Sequence, residues 1–147
     1  MTECIFCHQL KANQLLTQSQ YFKVVFDIDP IQKGHLLLIS KDHYTSLTQL
    51  PKEVRYDLID LQAALVAKLE QHLPISGVTS VSNDKELMDE GTHFHLHLIP
   101  RLTNDSFWEG ITINQENWDL APLFKAFINK SSHVKHVRIF LIKITVF

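Results

Sequence analysis

Thr92-His93-Phe94-His95-Leu96-His97-Leu98-Ile99-Pro100-Arg101 decides how the rest of this chain is read. Three histidines alternate with apolar residues at the period of a β-strand, so their side chains share one face while Phe94, Leu96 and Leu98 take the other. A strand built only for packing would carry Val, Ile or Thr at the polar positions, because histidine is only intermediate in its tendency to be buried. Same-face neighbours lie about 7 Å apart and second neighbours about 13 Å apart. Two adjacent imidazoles can therefore meet on one metal, but all three cannot, and at least one has another task.

Outward from this stretch, the 147 residues fit one domain with one core. With 45 % hydrophobic and 20 % charged residues the composition is that of a soluble globular protein. A net charge of -2 gives no electrostatic reason for an extended nucleic-acid surface. No apolar run reaches the roughly 20 residues of a membrane span. Met1-Thr2-Glu3-Cys4 lacks the basic and apolar regions of a secretory signal, so the expected location is cytoplasmic.

The two cysteines sit as Cys4-Ile5-Phe6-Cys7. A disulfide there would close too small a loop to stabilise much, and a thioredoxin-type pair would follow a strand, which is missing ahead of Cys4. Zinc or coincidence remains. Structural zinc takes four N or S ligands, so two histidines of the nine would have to complete the set.

Residues 21–27 and 35–40 read as strands joined by the turn-prone 29–34, and the almost wholly apolar second belongs at the centre of a sheet. Pro51 opens a helix that ends before Pro74, with Glu53 in the first turn and Val54, Leu58, Leu61, Leu65 and Leu69 at helical spacing. Residues 77–82 form a third strand, 83–91 a polar loop and 93–99 the fourth strand. A shorter helix is expected over 119–130, with Leu120, Leu123, Phe124 and Phe127 on one face. Residues 133–147 read as a strand-like tail that would need pairing or cover if folded. The class is α+β: an antiparallel sheet of about five strands with one long and one shorter helix.

His93-Phe94-His95-Leu96-His97-Leu98-Ile99 resembles the signature of the histidine triad (HIT) superfamily, His-φ-His-φ-His-φ-φ with φ apolar. The resemblance extends in order through Cys4-Ile5-Phe6-Cys7, Phe26-Asp27-Ile28-Asp29-Pro30, Lys33-Gly34-His35, Ser40-Lys41-Asp42-His43 and Ser82-Asn83, and it covers about residues 1–130. It implies a HIT-like fold over 1–132, a sheet-joined homodimer, and a hydrolase or transferase acting at a nucleoside 5′-α-phosphate of a small nucleotide. It offers no account of the 133–147 tail.

In site terms the resemblance makes His95 the nucleophile that becomes a covalent nucleotidyl-histidine. His97 faces the same pocket as a donor to phosphoryl oxygen or leaving group, and His35 sits beside the triad. Asp27 accepts from the ribose hydroxyls, Phe26 and Ile28 border the base, and Asn83 reaches the ribose or phosphate side. In zinc-containing relatives the ligands correspond to Cys4, Cys7, His43 and His93, a closed and therefore structural set. One departure matters: where the family pattern carries Gly-Gln-Ser/Thr before the first histidine, this chain has Met88-Asp89-Glu90-Gly91-Thr92. Asp89 and Glu90 would repel phosphate, which leaves Gly91 and Thr92 as the donors and the leaving group unspecified. Two rival readings stand beside this one. In the first, His93 and His95 hold a catalytic zinc with an activated water; in the second, the protein is a nucleotide-binding regulatory module with little turnover.

Overall fold

The computed structural model describes residues 3–113 and 115–128. Met1–Phe107 forms one compact unit and Trp108–Phe147 another. In the first, a five-stranded antiparallel sheet has the order β1-β2-β3-β5-β4. Its strands are β1 Leu15–Gln18, β2 Phe22–Phe26, β3 Leu36–Ser40, β4 Gly77–Val81 and β5 His95–Arg101. A one-turn helix α1, Ile5–His8, precedes the sheet, and the 21-residue α2, Lys52–His72, connects β3 to β4.

Period-two alternation divides the core between the two faces. Phe22, Val24, Leu36, Leu38, Phe94, Leu96 and Leu98 pack with Val54, Leu58, Leu65 and Leu69 of α2. Val25, Leu37 and Ile39 point the other way and pack with Phe6, Leu10 and Leu15. Strand β3, buried at all five positions, is the middle strand, as its apolar run demands. Pro51 is the N-cap of α2, just ahead of the helical ladder, where its missing N–H costs nothing.

Three boundaries differ from the sequence reading. Strand β1 was not foreseen: Leu15-Leu16-Thr17-Gln18 does not alternate, and its pairing to β2 shifts register between Leu15 and Thr17. Strand β5 runs over 95–101 rather than 93–99. At its start Phe94 leaves the regular ladder, its N–H donating to the Tyr44 carbonyl at 2.6 Å while its own carbonyl accepts from the Ser40 N–H. At its end Pro100 is tolerated because β3 pairs no further than Leu98, leaving β4 as the remaining neighbour. α1 was also unforeseen, since four residues carry no helical period.

In the second unit α3 spans Ala121–Ile128, inside the expected 119–130. Leu120, Leu123, Phe124 and Phe127 lie about half exposed. The tail at 133–147 falls outside the described residues. Among the described residues no helix is long and apolar enough to cross a membrane.

Candidate functional site

The histidines gather on the sheet face away from α2, and main-chain groups decide which nitrogen of each ring holds the proton. Nε2 of His93 lies 2.6 Å from the Ser40 carbonyl, which can only accept, so that nitrogen is protonated and Nδ1 keeps its lone pair. Nδ1 of His95 lies 2.7 Å from the His93 carbonyl, so by the same reasoning Nε2 of His95 is the bare nitrogen. The Ile31 N–H donates to Nδ1 of His35 at 3.3 Å, which puts the His35 proton on Nε2, from where it is donated to Nδ1 of His97 at 2.9 Å. The proton of His97 is then on its own Nε2.

Burial keeps the rings of His35, His93 and His97 neutral. It pushes His97 down to about 4, helped by the neighbouring His95 and His35, and it also lowers His35 and His93. The side chains are more covered than an open strand face would leave them. His93 and His95 are 1 % and 3 % exposed because Phe6 of α1 stands edge-on to both rings, at 5.4 and 5.1 Å between centroids. The His97 ring meets that of His95 edge-on, 4.7 Å between centroids, and keeps partial access to solvent.

Two groups of metal-capable side chains occur among the described residues. In the first, the donor atoms of Cys4, Cys7, His43 and His93 lie within 4.8 Å of one another. Nδ1 of His93 is 3.2 Å from the sulfur of Cys4 and 3.5 Å from that of Cys7, and Nδ1 of His43 is 3.4 Å from that of Cys7. Tetrahedral zinc, with bonds of about 2.3 Å to sulfur and about 2.0 Å to nitrogen, places such atoms about 3.6 Å apart. The set therefore fits zinc in type, number and spacing, and the Ser40 carbonyl already orients His93 with the ligating nitrogen inward. Partial burial and the adjacent Cys4 push the Cys7 thiol up, a cost of pairing two thiols that a dication reverses.

The second group, Asp27, His35 and His97, is one that the sequence reading did not assemble. Asp27 Oδ2 lies 3.4 Å from Nδ1 of His35 and 3.7 Å from Nδ1 of His97, while Oδ1 accepts from the Asp29 N–H at 2.9 Å. His95 belongs to neither group.

Beside the histidines is a small hollow of about 90 Å³ lined by Ile5, Phe6, Leu10, Val25, Phe26, Ile28 and Leu37, among others. Ile28 is 90 % exposed at its mouth, whereas Phe26 alternates toward the α2 face and meets the hollow only at the strand end. Val25, Ile5 and Phe6 were missed as lining. The available signal was an apolar pair held between two cysteines. Asn83 lies exposed in the loop past β4. The backbone at Gly91 takes φ +78°, suited to glycine, and its carbonyl accepts from the Ile5 N–H. Both the N–H and the hydroxyl of Thr92 donate to the Asp89 carbonyl, closing a turn, so neither is aimed outward in this arrangement. A larger cavity of about 760 Å³ lies on the α2 face, lined by Leu36, Leu65, Leu69, Leu73 and Pro100 among others, and none of the triad histidines reaches it.

A HIT domain model matches residues 9–104. The chain belongs to the HIT family. Sequence relatives include adenosine 5′-monophosphoramidase HNT1 of Saccharomyces cerevisiae, 31 % identical over 67 % of this chain, and adenylylsulfatase HINT3 of Arabidopsis thaliana, 25 % identical over 80 %. The chain spans 62 % of the length of each of these two relatives. Among solved structures, a HIT family protein from Bacillus anthracis aligns with TM-score 0.67 at 22 % identity over 88 % of this chain and 97 % of that one. A Zn-bound histidine triad family protein from Mycobacterium smegmatis aligns with TM-score 0.62 at 24 % identity over 77 % and 82 %. These likenesses establish the HIT-like α+β fold.

Proposed function

We propose that this HIT protein is a nucleotide hydrolase or transferase that attacks a nucleoside 5′-α-phosphate through His95, with a nucleoside phosphoramidate or dinucleoside polyphosphate as substrate class. The observation that carries this reading is the bond from Nδ1 of His95 to the His93 carbonyl, which fixes the tautomer that presents Nε2 to the phosphorus. The names of the yeast and Arabidopsis relatives, a phosphoramidase and an adenylylsulfatase, support the same bond class.

Nε2 of His95 forms a bond to the α-phosphorus as the bond to the leaving amine or phosphate breaks; Nε2–H of His97, a neutral imidazole, donates a hydrogen bond to the departing group, which takes its proton from solvent. Water then attacks the phosphorus, the P–N bond breaks with its electron pair returning to Nε2 of His95, and the proton lost by water passes to solvent. His35 acts through His97 by holding its tautomer. Asp27 faces the ribose side of this cluster, and Ile28 with Phe26 borders the base; Asn83 and Gly91 complete the loop side of the nucleotide site, while the Thr92 donors stay within their own turn.

Cys4, Cys7, His43 and His93 would hold a structural zinc, which supplies a four-way crosslink and takes no part in the displacement. The Zn-bound relative supports this assignment. A catalytic zinc on His93 and His95 finds no support in the donor groups, since His95 lies outside both. A sheet-joined homodimer is part of the reading, because β1 and β4 are open edges. The second reading, a binding module with little turnover, is favoured by the 3 % exposure of His95 beneath Phe6.

The test is steady release of adenosine 5′-monophosphate from adenosine 5′-phosphoramidate and from a diadenosine polyphosphate, with acid-labile adduct trapped during turnover. Turnover with the adduct on His95 supports the proposal. An adduct on another residue refutes the nucleophile, and tight binding without turnover favours the module.

A further inference from the structure

Between the two cysteines of the metal group lie Ile5 and Phe6, which are also two walls of the 90 Å³ hollow beside His95. Little else fixes them. α1 is a single turn of four residues with no side-chain N-cap and no buried residue, far below the roughly 12 residues at which an isolated helix becomes even marginal. Its hold on the rest of the unit includes the Ile5 N–H to Gly91 carbonyl bond at 2.7 Å, the packing of Phe6 on Val25, Leu37 and Ile39 and edge-on against the rings of His93 and His95, and the contacts of the two cysteine sulfurs with His93 and His43. Sulfur hydrogen bonds of 3.2 to 3.5 Å are weak. A metal replaces all of them with coordination bonds at both ends of the Ile5-Phe6 pair.

We infer that metal binding by Cys4, Cys7, His43 and His93 and nucleotide binding in the hollow of Ile5, Phe6, Val25 and Ile28 are thermodynamically linked, the metal building the wall against which the base rests. This rests on the nucleotide reading above and adds a regulation to it. A flat base touches Ile5 and Phe6; a ribose phosphate, held at Asp27 and the histidines, does not. The linkage is therefore carried by the base, and it is reciprocal: whatever factor metal adds to nucleotide affinity, nucleotide adds to metal affinity. The wall rather than the whole fold is what metal controls, because the α2-face core and the ladder of five strands contain no metal-group residue other than at their margin.

The experiment uses the full chain, zinc-loaded and then stripped with a chelator, with folding followed by circular dichroism. Calorimetry measures binding of adenosine 5′-monophosphate and of ribose 5-phosphate to both forms. The expected result is about a tenfold loss of adenosine monophosphate affinity on stripping, within the usual range of coupling factors, with ribose 5-phosphate unchanged. Phe6→Ala in the loaded protein should give a similar loss while retaining its zinc. If stripping unfolds the chain, the reciprocal measurement replaces it: adenosine monophosphate should slow zinc transfer to a competing dye and raise zinc affinity by the same factor. Equal adenosine monophosphate affinities in both forms, equal losses for the two ligands, or zinc affinity indifferent to nucleotide each overturn the linkage. No adenosine monophosphate binding by the loaded protein refutes the nucleotide reading itself.

Discussion

Acidification from pH 7 to pH 4 should remove about 3 kcal/mol of folding stability through His97 alone. Its side chain is 18 % exposed, and burial together with the facing His95 and His35 pushes its pKa down to about 4. In the unfolded chain the same imidazole titrates at about 6.5. As pH falls through 6.5 the unfolded state takes up a proton that the folded state refuses until about 4, so the unfolded state binds more protons across that window and stability declines. Above 6.5 the contribution is fully present. Below about 4 it is gone, and a gap of about 2.5 at about 1.4 kcal/mol for each pKa step gives about 3 kcal/mol. The assay is urea unfolding of zinc-loaded wild type and His97→Gln at several pH values from 4 to 8. Glutamine does not titrate, so the variant should lose less stability on acidification by about that amount, while the contribution of His35 remains in both proteins and largely subtracts. Parallel curves would mean that His97 is not desolvated in this way, and the placement of its ring against His35 and His95 would be wrong.

Further outcomes follow from the same geometry. His95→Ala should abolish turnover and adduct formation while leaving adenosine monophosphate binding within a few-fold, as read by calorimetry. Metal analysis of protein purified without chelator should give one zinc per chain, and Cys7→Ser should lower that content sharply. Leu38, fully buried beneath α2, should cost about 2–5 kcal/mol when changed to Ala, measured by denaturant unfolding. Comparing ribo- and 2′-deoxyribonucleotide substrates tests Asp27; equal rates would remove it from the ribose subsite.

The sheet and the long helix were legible because their signals are periodic. His93 to Leu98 alternates, and Val54, Leu58, Leu65 and Leu69 recur at helical spacing and are the four positions of α2 that are buried. What escaped was either short or set by tertiary contact. α1 and β1 are four residues each, too short to show a period. The start of β5 at His95 depends on Phe94 bonding to Tyr44, a partner fifty residues away in sequence. For the candidate site, the order of motifs foretold which side chains gather, and Cys4, Cys7, His43 and His93 do lie together. The inward turn of Asp27 toward His35 and His97, and the use of the Thr92 donors within their own turn, follow from backbone paths that residue types do not encode.

The proton positions on His93, His95 and His35 rest on the carbonyls of Ser40 and His93 and the amide of Ile31, all main-chain atoms, and His97 takes its own from His35. A side-chain substitution at position 40 or 31 changes the residue but not the group that sets the tautomer, so the chemistry is insulated from ordinary sequence drift in its own neighbourhood. A saturation scan should accordingly show intolerance at the imidazoles themselves and latitude at Ile31, with proline, which deletes the amide, as the exception. Such an arrangement can persist through wide divergence so long as the strand holds its pleat, with His35 as the supporting side chain that must be inherited alongside the triad.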